Sequence, residues 1–231
     1  MRGAKVLIVG DEPAVARMLE VGLQDGGYDI RTAFGGLDAL ALAREWQPDL
    51  VLLDVLLPDV GGHEVCRRLR EFTTVPVLLL TGLRQERGAM QGLEVGADGY
   101  VTKPFSVAEL RSQVRSALRL AEWLPERCQG TRLDCDQGRL TIDLVRRLVH
   151  RGELTVPLGD TQLRLLTCLA ANPGRTLTYQ EIAEQVWGDD GADPSTVRAH
   201  LLVLRLRVED NPERPRLIAL VDDVGAQFIG R

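Results

Sequence analysis

Lysine is almost missing from this chain. Of its 28 basic residues only Lys5 and Lys103 are lysine, so arginine carries nearly all the positive charge. A basic excess is missing too: the formal net charge is −5, which excludes a molecule drawn as a whole to nucleic acid. No apolar run approaches the roughly 18 residues that a membrane-spanning helix needs. Lys5-Val-Leu-Ile-Val is too short for a secretory leader and runs straight into acidic residues, so no signal peptide is expected. The four cysteines, Cys66, Cys128, Cys135 and Cys168, show no Cys-x-x-Cys spacing, which argues against a zinc site or a disulfide framework. Together these absences predict a cytoplasmic, reduced protein with no membrane segment.

What is present fits 231 residues and 45% hydrophobic content: one large domain or two ordinary ones, with a real core. The chain is organised around D-L-V-L-L-D-V-L-L-P-D, residues 49–59. Its run Leu50, Val51, Leu52, Leu53 reads as a fully buried strand that ends in Asp54. A carboxylate there needs partners or an exit from the sheet, and the carboxyl ends of parallel strands are where functional groups sit. The plainer alternative is that Asp54 caps the next turn.

The first half repeats one pattern. Lys5–Val9 is a short strand, and Pro13 suits the first turn of a helix whose apolar face is Val15, Met18, Leu19 and Leu23. Residues 28–33 alternate as a strand, and Leu37, Leu40 and Ala41 lead a helix to Trp46. Gly61-Gly62 opens a helix with Val65, Leu69 and Phe72, residues 76–80 form a strand, and a weak helix falls near 84–95. A short strand over 98–101 precedes Thr102-Lys103-Pro104, and Ser106-x-x-Glu109 is a capping box for a last helix. Five strand–helix units in strict alternation predict a doubly wound five-stranded parallel α/β sheet. Asp11, Asp54, Thr81 and Lys103 then meet at one edge. Two carboxylates suit a hard cation such as Mg²⁺, while an ammonium and a hydroxyl suit a phosphoryl group on Asp54.

At this point residues 4–120 resemble the receiver domain of two-component response regulators, through V-L-I-V-G-D-E, the Asp54 segment, P-V-L-L-L-T-G and G-A-D-G-Y-V-T-K-P-F. The resemblance implies that Asp54 accepts phosphate from a cognate histidine kinase. It implies that Asp11, Asp54 and the backbone of Leu56 hold Mg²⁺, that Lys103 pairs with the phosphoryl group, and that Thr81 with Tyr100 relays the change. The family usually has two adjacent acids after the first strand; here the first of them is Gly10, and Glu12 does not replace it. Relatives of this type pair through charged residues on the fourth helix, fifth strand and fifth helix. Asp98 and Glu109 match that pattern, but Ala89, Gly99, Gln113 and Leu120 stand where Lys or Arg, Asp, Arg and Arg are usual. Any homodimer through the fourth-helix/fifth-helix face would lack the basic side of its ion pairs.

Residues 121–130, with Pro125 and Gly130, read as a tether between a receiver over 1–120 and a second domain over 131–231. That second half reads as short strands over 133–135, 140–144, 148–150 and 154–158, then a helix capped by Asp160. Thr178-x-x-Glu181 is a further capping box, and Asp193-Pro194 starts a third helix with the core stripe Val197, Leu201, Leu204 and Val208. A hairpin over 217–229, with 222–225 at its tip, closes an α+β winged helix-turn-helix domain. N-P-G-R-T-L-T, V-W-G, S-T-V-R-A-H-L-L-V-L-R and V-G-A-Q-F resemble the OmpR/PhoB-type effector domain. The resemblance implies a third helix in the major groove of promoter DNA and a wing at the minor groove. Arg198, Arg205 and Arg207 are the candidate DNA-binding residues.

That surface is chemically unusual. Residues 131–231 hold 13 Arg and 15 acids, a net −2 where a basic footprint is normal. Leu202 and Val203 fall at outward positions that are often polar or basic, and Asp222 and Asp223 face phosphate in the wing. His200 reads as a packing residue with base contact as the alternative, and Trp187 reads as core. Three functions are compatible with these features. The chain reads first as a non-enzymatic transcriptional response regulator, secondly as an atypical regulator acting by protein contact without strong DNA binding. An aspartyl-phosphate hydrolase is the third, but Asp54-Val55-Leu56 lacks that class's second Asp.

Overall fold

A computed structural model describes residues 3–82, 92–127 (side chains to 119), 132–188, 192–221 and 223–230. The chain forms two compact units, Met1–Ala121 and Glu122–Arg231. In the first, strands β1 (Lys5–Val9), β2 (Asp29–Ala33), β3 (Leu50–Asp54), β4 (Val77–Thr81) and β5 (Gly99–Thr102) make a parallel sheet in the order β2-β1-β3-β4-β5. Successive residues of a strand point to opposite faces, and both faces are covered. Val6, Ile8, Leu50, Leu52, Leu78 and Leu80 pack with Ala16, Leu19 and Leu23 of helix Pro13–Leu23 and with Leu110, Val114 and Ala117 of helix Val107–Arg127. Leu7, Val9, Val51, Leu53, Val77 and Leu79 pack with Ala39, Leu40, Ala43 and Trp46 of helix Gly36–Trp46 and with Val65, Cys66 and Leu69 of helix Gly62–Leu69. A continuous apolar run is what a central strand covered on both sides requires.

Some sequence expectations shift. Met18 and Leu37 lie on the exposed faces of their helices, and Ala16 and Ala39 take the buried positions instead. Small residues let the helices sit close on the sheet, which moves the buried stripe. Phe72 lies beyond the end of its helix, with the Arg44 guanidinium over its ring at 4.3 Å from the centroid. The helix expected over 84–95 lies largely outside the described residues. The last helix continues to Arg127, so its backbone covers Ala121 to Arg127 of the segment read as a tether.

In the second unit, β6 (Arg132–Cys135), β7 (Leu140–Asp143), β8 (Leu148–Arg151) and β9 (Leu154–Pro157) form an antiparallel sheet. Helices Asp160–Ala170, Tyr179–Val186 and Pro194–Val208 follow, and β10 (Thr176–Thr178), β11 (Ile218–Val221) and β12 (Gly225–Phe228) close a second sheet in the order β10-β12-β11. Thr178 and Glu181 form the expected capping box. Asp160 is not a cap. Gly159 holds that position, while Asp160 is fully buried and pairs with Arg147 at 2.8 Å.

Asp98 is also placed differently from its expected outward role. It is 5% exposed, and its Oδ2 accepts from Arg70 at 2.6 Å and from Val77 N at 2.9 Å. Arg70 donates further to Gly96 O at 2.8 Å and Val75 O at 2.7 Å, so one guanidinium ties the end of helix Gly62–Leu69 to the start of β5. Removing one partner of such a pair leaves a buried charge uncompensated. Arg70→Met should destabilise the first unit by about 3 kcal/mol in urea unfolding, and the double variant Arg70→Met/Asp98→Leu should recover part of that loss.

Candidate phosphoacceptor site and nucleic-acid interface

Strand register brings the sequence-predicted groups together. Val9 lies opposite Leu53, Asp54 opposite Leu80, and Thr81 opposite Thr102, so the residues that end β1, β3, β4 and β5 share one edge of the sheet. Asp54 is 6% exposed. Its Oδ1 accepts from Leu56 N at 3.0 Å, and its Oδ2 forms a short ion pair with Lys103 Nζ. Lys103 N in turn donates to Thr81 O at 2.7 Å, which keys the loop after β5 to the end of β4. Thr81 is buried beside the site, Asp11 is exposed at the mouth, and Tyr100 is half-buried, packed against the core between the sheet and helices Gly36–Trp46 and Gly62–Leu69. Leu56 is 76% exposed, an apolar side chain at the rim.

Two backbone features hold the acceptor strand end. Gly62 N donates to Val55 O at 2.9 Å, and a Cβ on Gly62 would sit 2.2 Å from Asp54 O, so only glycine allows this approach. Asp59 Oδ1 and Oδ2 accept from Gly36 N and Leu37 N at 2.7 and 2.9 Å. The Leu37 and Gly36 amides hold that carboxyl down at about 2. Asp59 was not singled out from sequence, although a signal existed. The helix after Phe34-Gly35-Gly36 has no side-chain cap of its own, so a cap had to come from elsewhere in the chain.

The donor set suits a hard divalent cation. Asp11 follows β1 and Asp54 ends the neighbouring β3, and both offer carboxylate oxygens. Among the described residues no group of three or more His, Cys, Asp and Glu side chains converges. Two carboxylates and a carbonyl fit Mg²⁺, which keeps several of its waters. At Gly10 there is room for the missing acid: an added Cβ would meet Asp54 Cβ at 3.8 Å and Oδ2 at 3.9 Å, which are ordinary contacts.

In the second unit Asp193 caps helix Pro194–Val208, its Oδ1 accepting from Ser195 N at 2.8 Å and Thr196 N at 2.9 Å. Val197, Leu201, Leu204 and Val208 are at most 1% exposed, as the stripe predicts. Val203 is fully buried rather than outward. The three arginines differ. Arg198 is exposed, 3.9 Å from Asp223 at the wing tip. Arg205 donates to Pro212 O, and Arg207 to Pro157 O at 3.2 Å and Gln162 Oε1 at 3.1 Å. Asp222 lies outside the described residues.

The family described as "Response regulator receiver domain" matches residues 6–115, and the one described as "Transcriptional regulatory protein, C terminal" matches residues 152–228. The DNA-binding dual master transcriptional regulator RpaA of Synechocystis sp. is 37% identical over 225 residues, covering 96% of this chain and 93% of that protein. The DNA-binding response regulator MtrA of Mycolicibacterium smegmatis is 38% identical, covering 96% and 95%. The chain belongs to the OmpR/PhoB family of two-component response regulators. A solved Thermotoga maritima family homologue, DrrB, aligns at TM-score 0.51 and 32% identity over 99% of this chain and 100% of that one.

Two residues of this response regulator's effector domain act behind the interface. Glu209 is 6% exposed and ends the third helix. It accepts three backbone N–H bonds, from Arg216 at 2.9 Å, Leu217 at 2.9 Å and Ile218 at 2.8 Å, fixing the base of the wing to the helix. An acid at a helix C-terminus has the wrong sign for the helix dipole, which in sequence signals a partner elsewhere. His200 is fully buried with its ring edge-on to Trp187, centroids 5.4 Å apart, so packing rather than base contact is its role. Burial pushes its pKa from 6.5 down to about 3. Below pH 6.5 the unfolded chain therefore takes a proton that the folded chain refuses. The stability carried by neutral His200 is complete above 6.5 and falls as pH drops toward 3. In urea unfolding, the midpoint of the effector-domain transition should fall between pH 7 and pH 5, and His200→Phe should flatten that slope.

Proposed function

We propose that this response regulator takes a phosphoryl group onto Asp54 from a cognate histidine kinase in the cytoplasm and answers by binding promoter DNA through the winged-helix domain. The observation that carries the reading is the Asp54–Lys103 ion pair at the strand edge that also holds Asp11 and Thr81. An Asp54 oxygen attacks the phosphorus of the kinase phosphohistidine, the N–P bond breaks, and the imidazole leaves. Lys103 moves from the carboxylate to the new phosphoryl oxygens, and the Thr81 hydroxyl turns toward them, freeing space for Tyr100 to move inward. Asp11, Asp54 and the Leu56 carbonyl would hold Mg²⁺, which when bound neutralises charge on the phosphoryl group. The domains are 1–120, a connecting segment over 121–130, and 131–231.

Homodimer pairing through the fourth-helix/fifth-helix face is weak in this reading. Asp98 is engaged by Arg70; Ala89 and the side chain of Leu120 lie outside the described residues. What pairing remains is apolar and little affected by salt. A second reading, a regulator acting through protein contact, is favoured by the inward hydrogen bonds of Arg205 and Arg207.

Gly10→Asp should lower the Mg²⁺ needed for Asp54 phosphorylation by a small acyl-phosphate donor, followed by intact mass across a Mg²⁺ series. No phosphoprotein at any Mg²⁺ concentration would mean a receiver that does not use phosphate. On DNA, with Arg205 and Arg207 bonded inward, few guanidinium groups reach phosphates, so the logarithm of affinity should fall with the logarithm of salt at a slope of about −1 to −3, at about −0.9 per contact. Anisotropy on the protein's own upstream region at several salt concentrations measures this; a slope steeper than about −6 would mean a larger basic surface than the one assigned.

A further inference from the structure

The outward face of the third helix of the effector domain is short of hydrogen-bonding groups. Ser195, Arg198, Leu202 and Leu206 follow one another at steps of three and four residues and therefore share one face. On either side of Leu202, Leu201 and Val203 are fully buried, while Arg198 is exposed and Leu206 is 47% exposed. Leu202 is half-buried at the centre of this stripe. Arg205, at its margin, is turned back to Pro212 O. With the Ser195 hydroxyl donating to Asp193 Oδ1, a face that enters the major groove with these side chains has one guanidinium and two aliphatic groups to offer.

We infer that Leu202 is a specificity-determining residue that reads a thymine C5-methyl group in the major groove, one helical turn after Arg198 reads a guanine. The inference rests on the DNA-binding reading above. The chemistry follows from what each base edge presents. Guanine, adenine and cytosine show donors or acceptors that an aliphatic side chain leaves unpaired, whereas thymine adds the one apolar group in that groove. Leucine therefore selects by burying the methyl and by failing every other edge. Arg198, with a forked donor, suits guanine O6 and N7. It stands within 3.9 Å of Asp223, close enough to be held extended beside the stripe and loosely enough to exchange a surface carboxylate for a base. Four residues advance a helix by about 6 Å, and stacked bases repeat every 3.4 Å or so. The guanine and the thymine are then about two base pairs apart. Leu206, a further turn on, adds apolar cover toward the edge of the groove. Charge favours DNA over an apolar protein partner for this stripe: its first turns carry the exposed cation Arg198, which complements phosphate and base acceptors.

The test uses the full-length protein. Duplexes are enriched from a random-sequence pool at low salt, and in the enriched duplexes each thymine is replaced singly by uracil, which removes only the methyl group. Anisotropy titration should find a thymine position, about two base pairs from a guanine, where uracil weakens binding about three- to fivefold, the effect of exposing one buried methyl. The same replacement should have no effect on Leu202→Ala and should keep its effect on Leu202→Met, which preserves apolar reach and guards against a folding defect. Uracil tolerated at every position, or a methyl effect that survives Leu202→Ala, overturns the assignment while DNA binding stands. Failure to enrich any duplex overturns the DNA-binding reading itself, and this inference with it.

Discussion

The carboxylate of Asp54 ends a strand in which every residue is buried, and the first unit is arranged to keep it there. A nearly enclosed charge needs compensation, and the Lys103 ammonium supplies it directly, with Leu56 N satisfying the other oxygen. Lys103 reaches Asp54 because β5 is held in register with β4 and because Lys103 N is bonded to Thr81 O. At the far end of β5, Arg70 binds Asp98 and the neighbouring carbonyls. The helix that Arg70 follows begins at Gly62, pressed against the Asp54 carbonyl. Acceptor, helix, guanidinium, strand and lysine form a closed circuit around the sheet edge.

The second unit places its arginines by a different logic. Arg147 neutralises the buried Asp160, Arg151 binds Val208 O and Asp210, and Arg205 and Arg207 bind carbonyls around the end of the third helix. These guanidinium groups build the scaffold that presents the helix and the wing. Glu209 completes it from the acidic side, through three backbone amides.

Much of this was legible in the chain. Continuous apolar runs gave the central strands, because burial on both faces leaves no alternation to misread, and the strand-end residues Asp54, Thr81 and Lys103 followed from topology. Caps written with their own local partners, Thr178 with Glu181 and Asp193 with Pro194, were readable for the same reason. Long-range partnerships were not. Asp98 and Asp160 look like surface acids in sequence, since nothing local announces the arginines 28 and 13 positions away that bury them. Val203 looks outward beside Leu202 because two adjacent apolar residues on a helix do not say which of them faces in.

The inward turn of Arg205 and Arg207 bears on how such a protein is distributed over a chromosome. Bulk DNA holds a regulator almost entirely through phosphate charge, and every guanidinium diverted to the scaffold weakens that sequence-blind attraction. Fewer copies are then sequestered on irrelevant sequence, and more remain in free diffusion. Occupancy of a promoter depends on the ratio of specific to non-specific affinity multiplied by the number of competing sites. A lightly charged reading head can therefore fill its sites at a modest absolute affinity.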